Sequence, residues 1–340
     1  MRWLTAGESH GECMLALIEG LPAGLAVDAD FINQELSRRQ QGYGRGARMG
    51  IEKDTARILS GIKNNRTLGS PVALLVPNRD CSIDDLPGFT APRPGHADLA
   101  GMHKYDFEDG RCVLERASAR ETVARVAAGA LCKLFLRELG ITLRSRTVSV
   151  GGCTNRAAQR KRIDRARKKG DTLGGIFEVI AEHLPVGLGS YVQYDRRLDA
   201  RLAAALVSIP AVKGVEFGLG FAAADRYGSQ AHDRIYYQEG RGYYRRTNNA
   251  GGLEGGMTNG QPLVCRCAMK PIATLQKPLP TVDVKSKKTV PASVQRSDIA
   301  AVEAAAVVGE AMAATVLTDA CLERFGQDNL KMIKKTFRQA

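Results

Sequence analysis

The sequence predicts an α+β fold built on antiparallel sheets. Strand-like runs come in neighbouring pairs joined by short Gly or Asn turns, whereas a doubly wound parallel sheet would alternate single strands with helices. Two long stretches carry alanine at helical spacing, which suits close helix packing in a core. No Pro/Ser-rich linker and no internal repeat divides the 340 residues, so residues 1–340 read as a single domain. A 44% apolar content over that length supports a core that buries most of the chain surface, and excludes global disorder.

Taken in order, residues 30–39 (DFINQELSRR) read as a short helix with an aspartate N-cap and a basic end. A Gly-rich turn holding Arg45 follows. The runs ARILSG and PVALLVP within residues 50–77 read as strands joined through Asn64, Asn65 and Gly69. A polar, proline-marked loop occupies residues 81–94. SARE at 118–121 is a capping box opening a helix that Gly140 closes. Strands are expected at 175–184, 189–194, 212–218 and 262–269, with a helix at 198–208 and a glycine-dense loop at 251–260. The last long helix is expected over 298–324.

The net charge is +13, and residues 156–169 alone supply an excess of +7. Without interleaved aromatics for base stacking, that basic segment reads as a solvated surface face, with nucleic-acid contact the sharper alternative. Other arginines stand in Gly-rich or helix-initiating contexts: Arg38, Arg39, Arg45, Arg48, Arg111, Arg116, Arg120, Arg125 and Arg296. Their planar forks suit carboxylates and phosphates, so a polyanionic small molecule is as good a candidate as a nucleic acid. The N-terminus has no apolar run, and neither a signal peptide nor a membrane span is expected. Eight cysteines without a C-x-x-C pair read as reduced thiols of a cytoplasmic protein. Cys265 and Cys267 would share one face of a strand, but two sulfurs are too few for zinc, and no metal is expected.

GESHG at 7–11 fits the G-x-S-x-G pattern of a hydrolase nucleophile elbow, but it precedes the strands that would build the sheet beneath such a serine. GLGFAA at 218–223 formally matches a dinucleotide fingerprint, yet Asp225, Gly228 and Ser229 interrupt the helix it needs, so it reads as a tight strand exit. Of five histidines, His10 and His96 lie among small residues in loops with charged neighbours, which makes them candidates for proton transfer. Asp298, at the expected start of the last helix, reads on local grounds as an N-cap.

Taken together, GESHG (7–11), RQQGYGR (39–45), RPGHAD (93–98), LERASARET (114–122) with RVAAG (125–129), PAVKGVE (210–216), GGLEGG (251–256) and MKPIAT (269–274) resemble chorismate synthase, in order from residue 7 to about 315. The resemblance implies a sandwich of antiparallel sheets around an alanine-rich helical core, assembled as a homotetramer. It implies a phosphate-eliminating lyase that converts 5-enolpyruvylshikimate 3-phosphate to chorismate by 1,4-elimination. That reaction uses reduced FMN without net redox change, and some members reduce the flavin with NADPH. By the same resemblance His10 is a proton donor to the leaving phosphate and His96 a proton donor toward the flavin. Asp298 becomes the catalytic aspartate that assists removal of the C6 proton, which overrides the N-cap reading. Arg39 and Arg45 match a loop assigned to substrate or NADPH, with Ser9, Arg48 and Arg120 as further contacts on the same surface. Arg116, Ala117, Ser118, Ala211, Gly255, Lys270, Pro271, Ile272, Ala273, Thr274 and Arg296 match flavin-binding positions.

Overall fold

The computed structural model describes residues 1–46 and 53–339. Its first sheet has the order β1-β2-β6-β3, from β1 (Arg2–Ala6), β2 (Cys13–Glu19), β3 (Arg57–Ile58) and β6 (Val72–Pro77). Between the last two lies the hairpin of β4 (Ile62–Lys63) and β5 (Arg66–Thr67). Its two-residue turn puts Asn64 and Asn65 at φ +49° and +56°, the left-handed pair that matches the twist of a tight hairpin. The second sheet runs β7-β8-β14-β9, from β7 (Thr142–Val150), β8 (Gly175–Glu182), β9 (Val212–Phe217) and β14 (Leu263–Met269). Every strand pairing within these sheets is antiparallel, as expected. Before β14 come two further hairpins, β10 (Ile235–Gln238) with β11 (Gly242–Arg245) and β12 (Leu253–Glu254) with β13 (Met257–Thr258).

Each main sheet has one face in the core. Met14, Ala16 and Ile18 of β2 and Val72, Leu74 and Val76 of β6 are buried at every second position, the period of a pleated strand. That face lies against α4 (Thr122–Glu138), while β7 and β8 lie against α8 (Val302–Phe325). These two helices pack on one another, with α1 (Ala29–Gln40) across both. Close approach is possible because the facing residues are small. A Cβ placed on Gly129 would lie 2.4 Å from the Ala311 methyl. Among the described residues, α8 is long and apolar enough to cross a membrane, but 89% of its apolar window is buried inside the protein, as a core helix requires.

The remaining helices are α2 (Asp98–Tyr105), α3 (Gly110–Ala117), α5 (Arg156–Lys169), α6 (Leu198–Val207), the single turn α7 (Gly228–Ala231) and α9 (Leu330–Phe337). The basic segment is thus one helix, started by the Asn155 side chain and ended by Gly170 at φ +70°.

Several boundaries differ from the sequence reading. Asp28, not Asp30, caps α1, accepting from the Asp30 and Phe31 N–H groups. Residues 190–194 form no strand: Gly187 and Gly189 take φ of +84° and +91°, which breaks the pleat, and Gly189 makes only an isolated bridge to Met257. Ser118 accepts from the Arg120 N–H, but Glu121 does not complete a capping box. Its carboxylate takes Thr5 and Arg125 instead, and one 3-10 turn precedes α4. The last long helix starts at Val302, so Asp298 is not its N-cap.

Candidate active site

The turn between β1 and β2 carries GESHG. Gly7 has φ +105°, and a Cβ there would sit 2.2 Å from the Cys13 carbonyl oxygen, so this tight entry requires glycine. Ser9 is buried, with its N–H donating to the Glu115 carbonyl at 2.9 Å, which is not the exposed placement of an elbow nucleophile. His10 is fixed twice by the Glu115 carboxylate of α3. Its N–H donates at 2.8 Å and its Nδ1 lies 3.0 Å from Oε1. Burial alone would raise the Glu115 carboxyl, but these His10 bonds, with Arg111 close by, hold it below the usual carboxylate range. A carboxylate so held keeps the Nδ1 proton on its own side of the ring.

Arg39, at the end of α1, and Arg120 share one buried counter-ion that the sequence did not reveal. Arg39 Nη2 reaches Asp54 Oδ2 and Arg120 Nη1 reaches Asp54 Oδ1, both at 2.6 Å. Burial pulls the Arg39 guanidinium down from its ordinary value, and Asp54 acts against that pull. Arg120 Nε also donates to Asn78 Oδ1 at 2.8 Å, and Asn78 Nδ2 donates to the Glu8 and Gly11 carbonyls. The histidine turn and the arginine pair are thereby one hydrogen-bonded unit.

A second histidine–carboxylate pair stands in the RPGHAD turn. Asp98, fully buried at the start of α2, accepts from Arg93 Nε at 2.7 Å and Nη2 at 2.8 Å, and lies 2.5 Å from His96 Nδ1. Burial opposes its charge, yet the Arg93 and His96 bonds hold its carboxyl well below the ordinary range. Arg93 Nη1 continues to Thr274 Oγ1 at 2.8 Å, and Lys270 Nζ donates to the Gly95 carbonyl at 2.8 Å. The 93–98 turn therefore lies on the 270–274 segment. Lys270 N in turn donates to the carbonyl of Ala211, a non-glycine residue at φ +70°.

Asp298 joins the RQQGYGR loop. Its Oδ1 accepts from Gly46 N at 2.6 Å and its Oδ2 pairs with Arg45 Nε at 3.2 Å. Ser297 Oγ donates to the Thr274 carbonyl at 3.0 Å, and Gln295 accepts from Arg111, whose Nη1 also lies 3.7 Å from Glu115. Through Ser297 and Gln295 the segment of Asp298 is thus tied to Thr274, which Arg93 contacts, and to Arg111 on the helix that carries Glu115.

The other expected positions divide. Arg116 donates to the carbonyls of Gly7 and Thr5. Ala117 and Ser118 form the break between α3 and α4 beside it. Pro271 and Ala273 lie within the segment that Thr172 pins through the Ile272 carbonyl at 2.7 Å. Arg296 is exposed, with no hydrogen bond or ion pair among the described residues. Gly255 sits at the exposed tip of the β12–β13 turn, and no hydrogen bond among the described residues joins it to the two histidines or Asp298. Arg48 lies outside the described residues. Among the described residues no group of three or more metal-ligating side chains occurs.

Lys270 gives a direct test of whether a phosphorylated cofactor fits. Burial lowers its ammonium pKa, and the like charge of Lys213 lowers it further. Two neighbouring cations, with Arg296 unpartnered on the segment alongside, suit an anionic group such as the phosphate of a flavin mononucleotide.

Comparisons with known proteins point to one family. The family model described as chorismate synthase matches residues 1–322. A chorismate synthase of Caldanaerobacter subterraneus is 55% identical over 340 residues, covering 99% of this chain and 97% of the relative. One from Aquifex aeolicus is 50% identical, covering 99% and 96% respectively. A crystal structure of chorismate synthase superposes with a TM-score of 0.82 at 45% identity, covering 99% of this chain and 96% of the other.

Proposed function

The chain belongs to the chorismate synthase family, a lyase activity of aromatic amino-acid biosynthesis, and from that premise we propose how its residues divide the reaction. The substrate is 5-enolpyruvylshikimate 3-phosphate, whose C3 phosphate leaves while a C6 hydrogen is lost. One observation supports the assignment: His10 and His96 each hold a carboxylate at Nδ1, and Asp298 anchors the Arg45 loop from a segment whose Ser297 meets Thr274, the partner of Arg93.

His10 protonates the departing phosphate. With Nδ1 held on Glu115, the proton is delivered from Nε2, and Glu115 stabilises the ring in the form that donates. Arg39, Arg45 and Arg120, with Arg48 and Ser9, bind the substrate anions, and a fixed set of guanidinium forks stabilises the charge that grows on the leaving oxygen. The Asp54 bridge keeps two of these forks in place before substrate arrives. Lys270, Pro271, Ile272, Ala273 and Thr274, together with Arg116, Ala117, Ser118, Ala211, Gly255 and Arg296, would hold reduced FMN, which when bound would supply a transient electron to the substrate. His96, oriented by Asp98, places a proton donor on the flavin side, and Asp298, anchored by Gly46 and Arg45, assists removal of the C6 proton. NADPH serves as reductant if this protein reduces its own flavin, through the same Arg39 and Arg45 loop.

We read the packing of the two sheets on α4 and α8 as the family's sandwich around a helical core, in one domain. The protein acts in the cytoplasm as a homotetramer. Exposed Phe221, Tyr227, Tyr237 and Tyr243 support that assembly, since so much apolar aromatic surface is suited to a subunit contact.

The test is an anaerobic assay with 5-enolpyruvylshikimate 3-phosphate and chemically reduced FMN, following chorismate absorbance. Turnover is expected in the parent, with His10→Ala and Asp298→Ala each reduced by about 100-fold to 10,000-fold, the range of lost general acid–base catalysis. A flavin-binding parent without turnover would sink the assignment.

A further inference from the structure

The basic helix α5 has no part in the reaction as described, yet it is packed against the loop that carries Arg45. Tyr43, in the middle of that loop, donates its hydroxyl to Asp164, the one acidic residue of α5, at 2.8 Å to Oδ1 and 2.9 Å to Oδ2. The guanidinium carbons of Arg160 and Arg167 lie 5.3 Å and 5.8 Å from the Tyr43 ring centroid, and Arg167 Nη1 donates to Asp164 at 2.9 Å. Residues 160, 164 and 167 share one helical face, so ring, carboxylate and both cations form a single clasp. Beneath it, a Cβ on Gly44 would come within 3.0 Å of Ile163 and 3.3 Å of the Ala300 N–H. On its other side the loop is held by the segment of Asp298, since Gly44 O accepts from Ile299 N at 2.8 Å.

The loop is therefore gripped between α5 and residues 298–300, and in that grip Gly46 and Arg45 meet Asp298. We infer that Tyr43 is a positioning residue, and that α5 is the brace which fixes the substrate-binding loop through the Tyr43–Asp164 clasp. The inference rests on the functional reading above. It also accounts for the basic run without nucleic acid: Arg160 and Arg167 serve the clasp, and the remaining cations keep the outer helix surface solvated.

The experiment measures steady-state kinetics of the full-length protein with 5-enolpyruvylshikimate 3-phosphate and reduced FMN, beside its thermal midpoint. A loop that both binds a substrate anion and anchors Asp298 raises KM and lowers kcat together when it loosens. Tyr43→Phe is expected to raise KM about threefold to tenfold, the effect of one modest hydrogen bond, with a fall in kcat and the midpoint unmoved. Asp164→Asn moves KM in the same direction, and the double variant is no worse than the poorer single, because both remove one contact. Reversing Lys161, Arg165 and Lys169 to glutamate, off the clasp face, leaves KM unchanged. An unchanged KM in Tyr43→Phe, additive effects in the double variant, or a raised KM after the three reversals each overturns the inference. A parent without turnover instead overturns the functional reading on which it rests.

Discussion

His10 and Glu115 are 105 residues apart, yet the second determines what the first can do, because its carboxylate takes Nδ1 and the peptide N–H together. Glu115→Gln keeps an acceptor for the N–H but removes the charge that stabilises a donating ring. Turnover is expected to fall by about 10-fold to 100-fold with KM nearly unchanged, as for a group acting mainly in the transition state, and single-turnover kinetics would check it. An equal rise in KM would instead make Glu115 a substrate-binding support. At this scale the motifs located both histidines, since small flanking residues and charged neighbours are local properties. Asp98 stood inside the motif of His96, and Glu115 inside another motif, 105 residues from His10; neither was identified as a partner, because a hydrogen-bond partner is fixed by the fold. Asp54 and Asn78 carried no sequence signal, being ordinary polar residues made decisive by burial between arginines.

The helices and sheets were more legible than their ends. Alanine at helical spacing located α4 and α8, because burial on one face imprints a period, and apolar runs bounded by turn residues located β6 and β14. The error at residues 189–194 came from glycines whose positive φ is invisible in a hydrophobicity pattern. That at Asp298 came from a capping residue that serves another loop. The contact of α4 with α8 gives an element-level prediction. Gly129→Ala would gain about 1 kcal/mol of helix propensity, but its methyl has no room against Ala311. We expect a net destabilisation of about 1 to 3 kcal/mol by overpacking, measured by chemical denaturation. A stabilised variant would mean that the two helices separate more readily than their packing implies.

Across the whole molecule, a buried charge network ties the layers together. Glu310 of α8 accepts from Arg38 of α1 at 2.7 Å and from Ser145 of β7 at 2.6 Å, and it pairs with Lys133 of α4, which also reaches Glu35 of α1 at 2.7 Å. Burial opposes the Glu310 charge, but Arg38 and Lys133 outweigh it and hold its carboxyl at about 2. A depressed carboxylate stabilises the fold above its unfolded value and loses that contribution as pH falls through the folded one. The network therefore contributes fully above about pH 4.5 and fades toward about 2. Glu310→Gln is expected to lose about 3 to 5 kcal/mol near neutral pH, with the deficit against the parent shrinking across that acid window, as thermal melts at stepped pH would read. A deficit independent of pH would assign the loss to packing alone.

The separation of His10 from Asp298 has a consequence for synthesis. His10 is synthesised long before Asp298, which stands just ahead of the core helix α8. The Arg45 loop therefore has neither its carboxylate anchor nor the helix that closes the core until residues 298–325 have been made. A chain that stops before Asp298 is thus expected to be inert rather than partly active.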